Sequence, residues 1–295
     1  MPKGVVSVVP GKGSVIGDAI VKHPLVKKVS FTGGTTTGRS LAKLAAEKLM
    51  PVTLELGGKS PTIVFDDADV EHAVNGVLFG IFSSSGESCI AGSRLSVQDS
   101  VRTQFLDRLA RKAQTLRVGD PEDPRTQMGP LITAKHRESI ERYVRLGLDE
   151  GGKVLVGGER PKGGLYDRGW FYKPTVLDGL SNGARICQEE IFGPVLVVLS
   201  FRDESDLIEQ ANQSVYGLAA GIWTRDYKRA WRVARALETG TVWINTYKQL
   251  SISTPFSGIK ESGLGTEKGR LGILQYKHQK SLYWGMNEMP LPWAD

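Results

Sequence analysis

Cysteine is scarce in this chain: Cys89 and Cys187 are two residues among 295. So few exclude a disulfide framework and point to a reducing compartment, so a cytoplasmic protein is expected. No apolar run approaches the length that spans a bilayer, which argues against a membrane protein. The opening Met1-Pro2-Lys3-Gly4-Val5 lacks the basic, apolar and small-residue regions of a secretory signal. The four histidines, His23, His72, His136 and His278, have no ligand spacing, so no metal is expected. Repeats and low-complexity segments are missing too.

What is present fits a soluble globular protein. Hydrophobic residues make up 40% and charged residues 24%, and the length allows one large domain or two modest ones. The formal net charge is +6. Its densest basic stretch runs from Arg225 to Arg235, where a nucleic-acid surface is conceivable. Ala230, Val233, Ala234 and Leu237 recur there at helical spacing, and no nucleic-acid-binding motif accompanies them. The stretch therefore reads as a solvated helix face, with no nucleic-acid partner.

Strand and helix patterns alternate along the chain. Strands are expected at Val5–Val9, Lys28–Phe31, Val52–Leu56, Pro61–Phe65, Leu95–Val97, Val154–Val156, Val195–Leu199 and Thr241–Asn245. An edge strand is expected at Lys277–Trp284. Helices are expected at Val15–His23, Arg39–Leu49, from the Asp66-Asp67-Ala68-Asp69 cap to Phe82, Val101–Leu116, 137–150, Leu207–Asn212 and 226–238. Alternation of this kind predicts an α/β protein with a parallel sheet.

Two residues stand out chemically. Cys89 lies in Ser85-Gly86-Glu87-Ser88-Cys89-Ile90-Ala91-Gly92, a small-residue loop in which a thiol is reachable. Glu55 precedes the glycine turn Gly57-Gly58. A thiol and a carboxylate so placed are a candidate nucleophile and general base, which suggests covalent catalysis through a thioester. Cys187, between Ile186 and Gln188, reads as a small buried hydrophobe. Two glycine turns follow early strands: Gly11-Lys12-Gly13-Ser14-Val15-Ile16-Gly17 and Gly33-Gly34-Thr35-Thr36-Thr37-Gly38. Glycines there let backbone N–H groups approach an anion at a helix N-terminus. The first misses the dinucleotide fingerprint by one residue and reads equally well as a tight connection. Glu190 and Phe192, before a buried strand, suit a ribose and a ring, or an exposed carboxylate and a core aromatic.

Six motifs in order carry a family resemblance. They are Phe31-Thr32-Gly33-Gly34-Thr35, Leu54-Glu55-Leu56-Gly57-Gly58-Lys59-Ser60-Pro61, Gly86-Glu87-Ser88-Cys89-Ile90-Ala91-Gly92-Ser93-Arg94, Glu190-Ile191-Phe192-Gly193-Pro194, Tyr216-Gly217-Leu218-Ala219 and Pro255-Phe256-Ser257-Gly258-Ile259-Lys260. Together they resemble the NAD(P)-dependent aldehyde dehydrogenase superfamily, over the later part of a family member. The resemblance implies an incomplete Rossmann-like cofactor domain (1–57), an α/β catalytic domain (58–260) and a C-terminal segment with an oligomerisation arm (261–295). It implies aldehyde oxidation to a carboxylic acid with NAD or NADP. Cys89 would form the thiohemiacetal and thioester, and its own N–H would hold the oxyanion. Glu55 would activate the hydrolytic water.

The cofactor set it implies is Gly13, Phe31, Gly33, Gly34, Thr37, Gly38, Leu56, Gly57, His136, Glu190 and Phe192. Ser88, Leu250 and Phe256 would meet the substrate, and the last two suggest an apolar or aromatic aldehyde. A small-molecule aldehyde and a second copy of the chain, in a dimer or tetramer, are the expected partners. The sequence departs from the family pattern at Gly34, Ser257 and Thr266. Two other readings remain open at this point: a fragment that folds and oligomerises without turnover, and an acyl transferase or esterase using the same cysteine. Glu55 argues against a branch in which a thiol rather than water takes the acyl group.

Overall fold

The computed structural model describes residues 1–286 and residue 293. The strands are β1 (Val29–Thr32), β2 (Val52–Glu55), β3 (Pro61–Val64), β4 (Arg94–Gln98), β5 (Lys153–Val156), β6 (Thr175–Asp178), β7 (Val195–Phe201), β8 (Tyr216–Gly217), β9 (Ala219–Trp223), β10 (Thr241–Ile244), β11 (Ile259–Lys260) and β12 (Gly263–Leu264). The α-helices are α1 (Gly13–Lys22), α2 (Thr35–Ala46), α3 (Val70–Phe82), α4 (Arg102–Gln114), α5 (Ala134–Asp149), α6 (Arg185–Gln188), α7 (Glu204–Asn212), α8 (Tyr227–Ala236) and α9 (Gly269–Leu274).

A seven-stranded sheet runs in the order β10-β9-β3-β4-β7-β6-β5. Its pairs are parallel except β5 on β6. The strands read as near-continuous apolar runs because helices cover both faces. One layer of core joins α3 and α4 to β4 and β7 through Val77, Ile81, Phe105, Leu109, Val97 and Val198. The opposite layer packs Leu207 of α7 and Val233 of α8 on Ile63, Ile222 and Phe201. Each fully buried aliphatic side chain of this kind contributes about 1.5–3 kcal/mol. The expected α/β class with a parallel sheet is therefore the observed one.

Helix α3 positions the Cys89 loop. Asp69 caps it, accepting from the His72 N–H at 3.0 Å. Its buried face repeats at Ala73, Val74, Val77, Leu78 and Ile81, three and four residues apart. Gly76 and Gly80 let it lie flat on aromatics: a Cβ at Gly76 would stand 2.2 Å from Trp223, and one at Gly80 3.1 Å from Tyr247. The helix stops where Ser84 and Ser85 turn left-handed, with φ of +55° at each. That turn delivers the chain to Cys89.

A second, three-stranded sheet holds Glu55. β2 is its central strand, parallel to β1 and antiparallel to β12. Only Leu56 to Ser60 separate it from β3 of the large sheet.

Several expectations need correction. Val5–Val9 forms no strand, and Val5, Val6, Val8 and Val9 are all more than 60% exposed. A strand exists only against a partner, and the outer edge of β1 carries none among the described residues. Lys277–Trp284 is likewise not a strand; Leu282, Tyr283 and Trp284 stand in solvent. The final part of the expected arm lies outside the described residues. α2 starts at Thr35 rather than Arg39 and ends at Ala46, because Leu49 turns left-handed at φ +50°.

Candidate active site

Cys89 sits half-buried against the main core, after the left-handed run Ser84, Ser85 and Gly86. The loop is held tightly. A Cβ on Gly86 would stand 2.2 Å from the Gly193 carbonyl, and one on Gly58 2.5 Å from the Cys89 carbonyl. Ser85 Oγ–H donates to the Gly129 carbonyl at 3.0 Å. Burial pushes the thiol pKa up, and the charges of Glu190 and Glu55 push it further. The N–H groups of Ile90 and of Cys89 itself act the other way, by bonding the thiolate. The resting group is therefore a thiol with anion-stabilising donors already in place.

Glu55 ends β2 and is only 7% exposed. Neither carboxylate oxygen has a hydrogen-bond partner among the described residues. Burial raises its pKa from 4.5 to about 7, the charge of Glu267 adds to this, and Lys268 opposes it. A carboxyl group poised near neutrality is suited to taking a proton and giving it back.

Glu190 is brought to the same place from far along the chain. The Gly58 N–H donates to its Oε1 at 3.0 Å. A Cβ on Gly57 would lie 2.3 Å from its Oε2, so Gly57 leaves room for the carboxylate. Burial raises the Glu190 pKa, against the Gly58 hydrogen bond and the charge of Lys59. Phe192 beside it has φ +57° and is 39% exposed. His136, at the start of α5, donates from Nε2 to the Phe192 carbonyl at 2.6 Å. Its Nε2 is also 3.6 Å from Glu87 of the Cys89 loop. His136 thus ties the Phe192 turn to the Cys89 loop.

The remaining residues fall in two groups. Around the start of α2, Gly34 is an N-cap without a side-chain hydrogen bond, which leaves the first-turn N–H groups of the helix uncapped. Thr37 is exposed at this end. Gly33 lies under the Phe31 ring, where a Cβ would stand 2.5 Å from Cζ. Gly38 is packed on Leu56, so Leu56 fixes α2 to the end of β2. Gly13 is apart from these, exposed at the first residue of α1. On the other side, Phe256 packs against the main core and Leu250 is 49% exposed. Both line a cavity of about 330 Å³ that also includes Trp243, Thr254 and Lys268. Ser88 is half-buried beside Cys89.

Sequence reasoning passed over Lys59. It is fully buried, with no acceptor at Nζ, and burial lowers its pKa to about 7 against the charges of Cys187, Glu190 and Glu189. Its place directly after Gly57-Gly58 is the one signal in the sequence. Glu267 and Lys268 were missed as well; both act on Glu55 across the turn before α9. Cys187 is fully buried and its thiol is pushed to about 11, which agrees with a core role.

The aldehyde dehydrogenase family model matches residues 1–282. The chain belongs to the aldehyde dehydrogenase family. It is 41% identical over 293 residues to the betaine aldehyde dehydrogenase of Bacillus subtilis and 44% identical to that of Brucella melitensis. Each match covers 99% of this chain and 60% of the relative, so the chain spans about three-fifths of their length. A point mutant of Staphylococcus aureus betaine aldehyde dehydrogenase, solved in complex with NAD+ and with a modified cysteine, superposes with a TM-score of 0.94. It shares 41% identity, over 97% of this chain and 58% of that one. PnpE in complex with nicotinamide adenine dinucleotide gives 0.91 at 43% identity, over 94% and 56%.

A dinucleotide fits the residues present. The uncapped N-terminus of α2 suits a pyrophosphate, and the buried Glu190 carboxylate, with one backbone donor, has acceptor capacity left for ribose hydroxyls.

Proposed function

We propose that this chain carries the catalytic centre of an NAD(P)-dependent oxidation of a small aldehyde to its carboxylic acid. The observation that carries this reading is the electrostatic setting of Cys89: two backbone donors at its thiol, and two carboxylates, Glu55 and Glu190, acting on it. The first would be the base and the second the cofactor clamp. Glu55, ionised in part at neutral pH, takes the thiol proton. The Cys89 sulfur bonds the aldehyde carbon, and the carbonyl oxygen becomes an oxyanion facing the N–H groups of Cys89 and Ile90. A bound nicotinamide dinucleotide supplies the hydride acceptor that turns this adduct into a thioester. After releasing the thiol proton to solvent, Glu55 takes a proton from water as the water oxygen attacks the thioester carbon, and returns it to the departing Cys89 sulfur. The acid departs and the thiol is restored.

Glu190 and the α2 N-terminus would hold the dinucleotide, with Phe192 flanking its ring. The NAD+ complexes of the similar solved structures support NAD as that cofactor. Domain boundaries near residues 57 and 260, and assembly with a second copy, belong to the same reading.

The test is a single-turnover mass measurement with aldehyde and NAD+. In Glu55→Gln, water activation is lost while acylation proceeds slowly, so an acyl group accumulates on Cys89. Acid formation by the wild-type chain with no acyl-Cys89 in the variant would sink the mechanism.

A further inference from the structure

At the end of α3, where the chain turns toward Cys89, stands a cation with no anion to match it among the described residues. The chain after β10 is fixed by aromatics: the buried Tyr247 ring lies 6.1 Å from Trp223 in a stack and 4.8 Å from Trp243. Trp243 Nε1–H donates to the Gln249 carbonyl at 2.8 Å. Between these pins Lys248 takes φ +56°, a conformation that L-residues adopt rarely. Its side chain is thereby directed toward the end of α3. There Nζ donates to Ser83 Oγ at 2.8 Å and stands 5.9 Å from the Phe79 ring centroid. Ser83 is the C-cap of α3 and opens the loop to Cys89.

No carboxylate lies within ion-pair distance of Lys248 among the described residues. By contrast Arg229 and Arg232 of the basic stretch are all matched by Asp66, Asp67 and Glu204. Burial lowers the Lys248 pKa to about 8, opposed by Cys89 in its thiolate form. The group is therefore mostly ammonium at pH 7, and it is held beside Ser83, where the chain leaves α3 for the Cys89 loop. A second ammonium, that of Lys268, lies 5.4 Å from the Phe256 ring centroid, on the wall formed with Leu250. A half-buried cation whose only hydrogen-bond partner is a hydroxyl keeps most of its desolvation cost uncompensated. An incoming anion relieves that cost, while an incoming cation adds repulsion.

We propose that Lys248 selects aldehydes that carry a distal carboxylate, with Leu250 and Phe256 walling the stem between the two ends. This rests on the aldehyde chemistry of Cys89 proposed above. It also sets this chain apart from its relatives named for betaine aldehyde, whose quaternary ammonium would meet Lys248 unfavourably.

The test needs no turnover. Aldehydes add reversibly to Cys89: the S–C bond forms and the thiol proton moves to the carbonyl oxygen. The adduct shields the thiol from iodoacetamide, and peptide mass spectrometry reads the labelling of Cys89. Succinic semialdehyde, neutral pentanal and cationic betaine aldehyde are compared. Succinic semialdehyde is expected to half-protect at about a tenfold lower concentration than pentanal, between the scale of an exposed and a buried ion pair. Betaine aldehyde is expected to protect least. Lys248→Met removes the preference for the anion, and Lys248→Arg retains it. A semialdehyde no better than pentanal, or an advantage that survives in Lys248→Met, overturns the proposal while leaving the aldehyde reading intact. Protection by none of the three overturns both.

Discussion

Glu55 makes the stability of this fold depend on pH in a direction opposite to most carboxylates. A carboxyl group that loses water without gaining a partner prefers to be neutral, so the folded chain holds its proton more tightly than the unfolded chain. Below pH 4.5 both states are protonated and the favourable contribution is complete. Between pH 4.5 and about 7 the unfolded state has released the proton and the folded state has not, so stability falls with rising pH. Above pH 7 the contribution is gone. At about 1.4 kcal/mol per pH step, the gap from 4.5 to about 7 corresponds to about 3 kcal/mol. Glu55→Gln keeps the shape and cannot ionise, so the difference between variant and wild type isolates this one group. Urea unfolding at closely spaced pH values from 4 to 9 is the assay. The two proteins are expected to be nearly equal in stability near pH 4.5, and the variant more stable by about 3 kcal/mol at pH 8. A difference that stays flat across that range would refute the reasoning, because a buried glutamate held by an unseen partner would show no such slope.

Gly86→Ala places a Cβ against the Gly193 carbonyl at φ +71°, with backbone on both sides; it is expected to cost about 2–4 kcal/mol in urea unfolding, and a cost below 1 kcal/mol would contradict the packing. Iodoacetamide should label Cys89 well before Cys187, whose thiol is fully buried and pushed to about 11; equal rates by peptide mapping would contradict the placement.

Cys89 and Glu55, the proposed nucleophile and base, were conspicuous in the sequence because each sits in a short local signature, a small-residue loop and a glycine turn. Glu190 and Phe192 read two ways from their own residues and took a role only from the family resemblance; the fold then brings Glu190 to Gly57 and Gly58. Five strands of the large sheet, β3, β4, β5, β7 and β10, were readable in the sequence, while β6 and β9 were passed over. β8, β11 and β12 were not readable, because two residues carry no period. Lys248 and Lys59 escaped notice for a different reason. A lysine in sequence looks like a surface charge, and only burial without a carboxylate at ion-pair distance among the described residues marks these two as unusual. Val5–Val9 shows the reverse error: its composition is that of a strand, and composition does not supply the neighbour a strand needs.

The two-sheet arrangement has a mechanical consequence. Glu55, the proposed base, rides on β2, and the Cys89 loop is braced against β3 and α3; of the two covalent links between the sheets, one is the chain from β10 to β12 and the shorter is the run Leu56 to Ser60. Glu190 grips the middle of that link, at Gly58, and leans on Gly57. Anything that pulls on the Glu190 carboxylate therefore acts as a lever on the spacing between base and thiol. Occupancy at one end of the site would be reported at the other as a change in the reactivity of Cys89, with no separate moving part required.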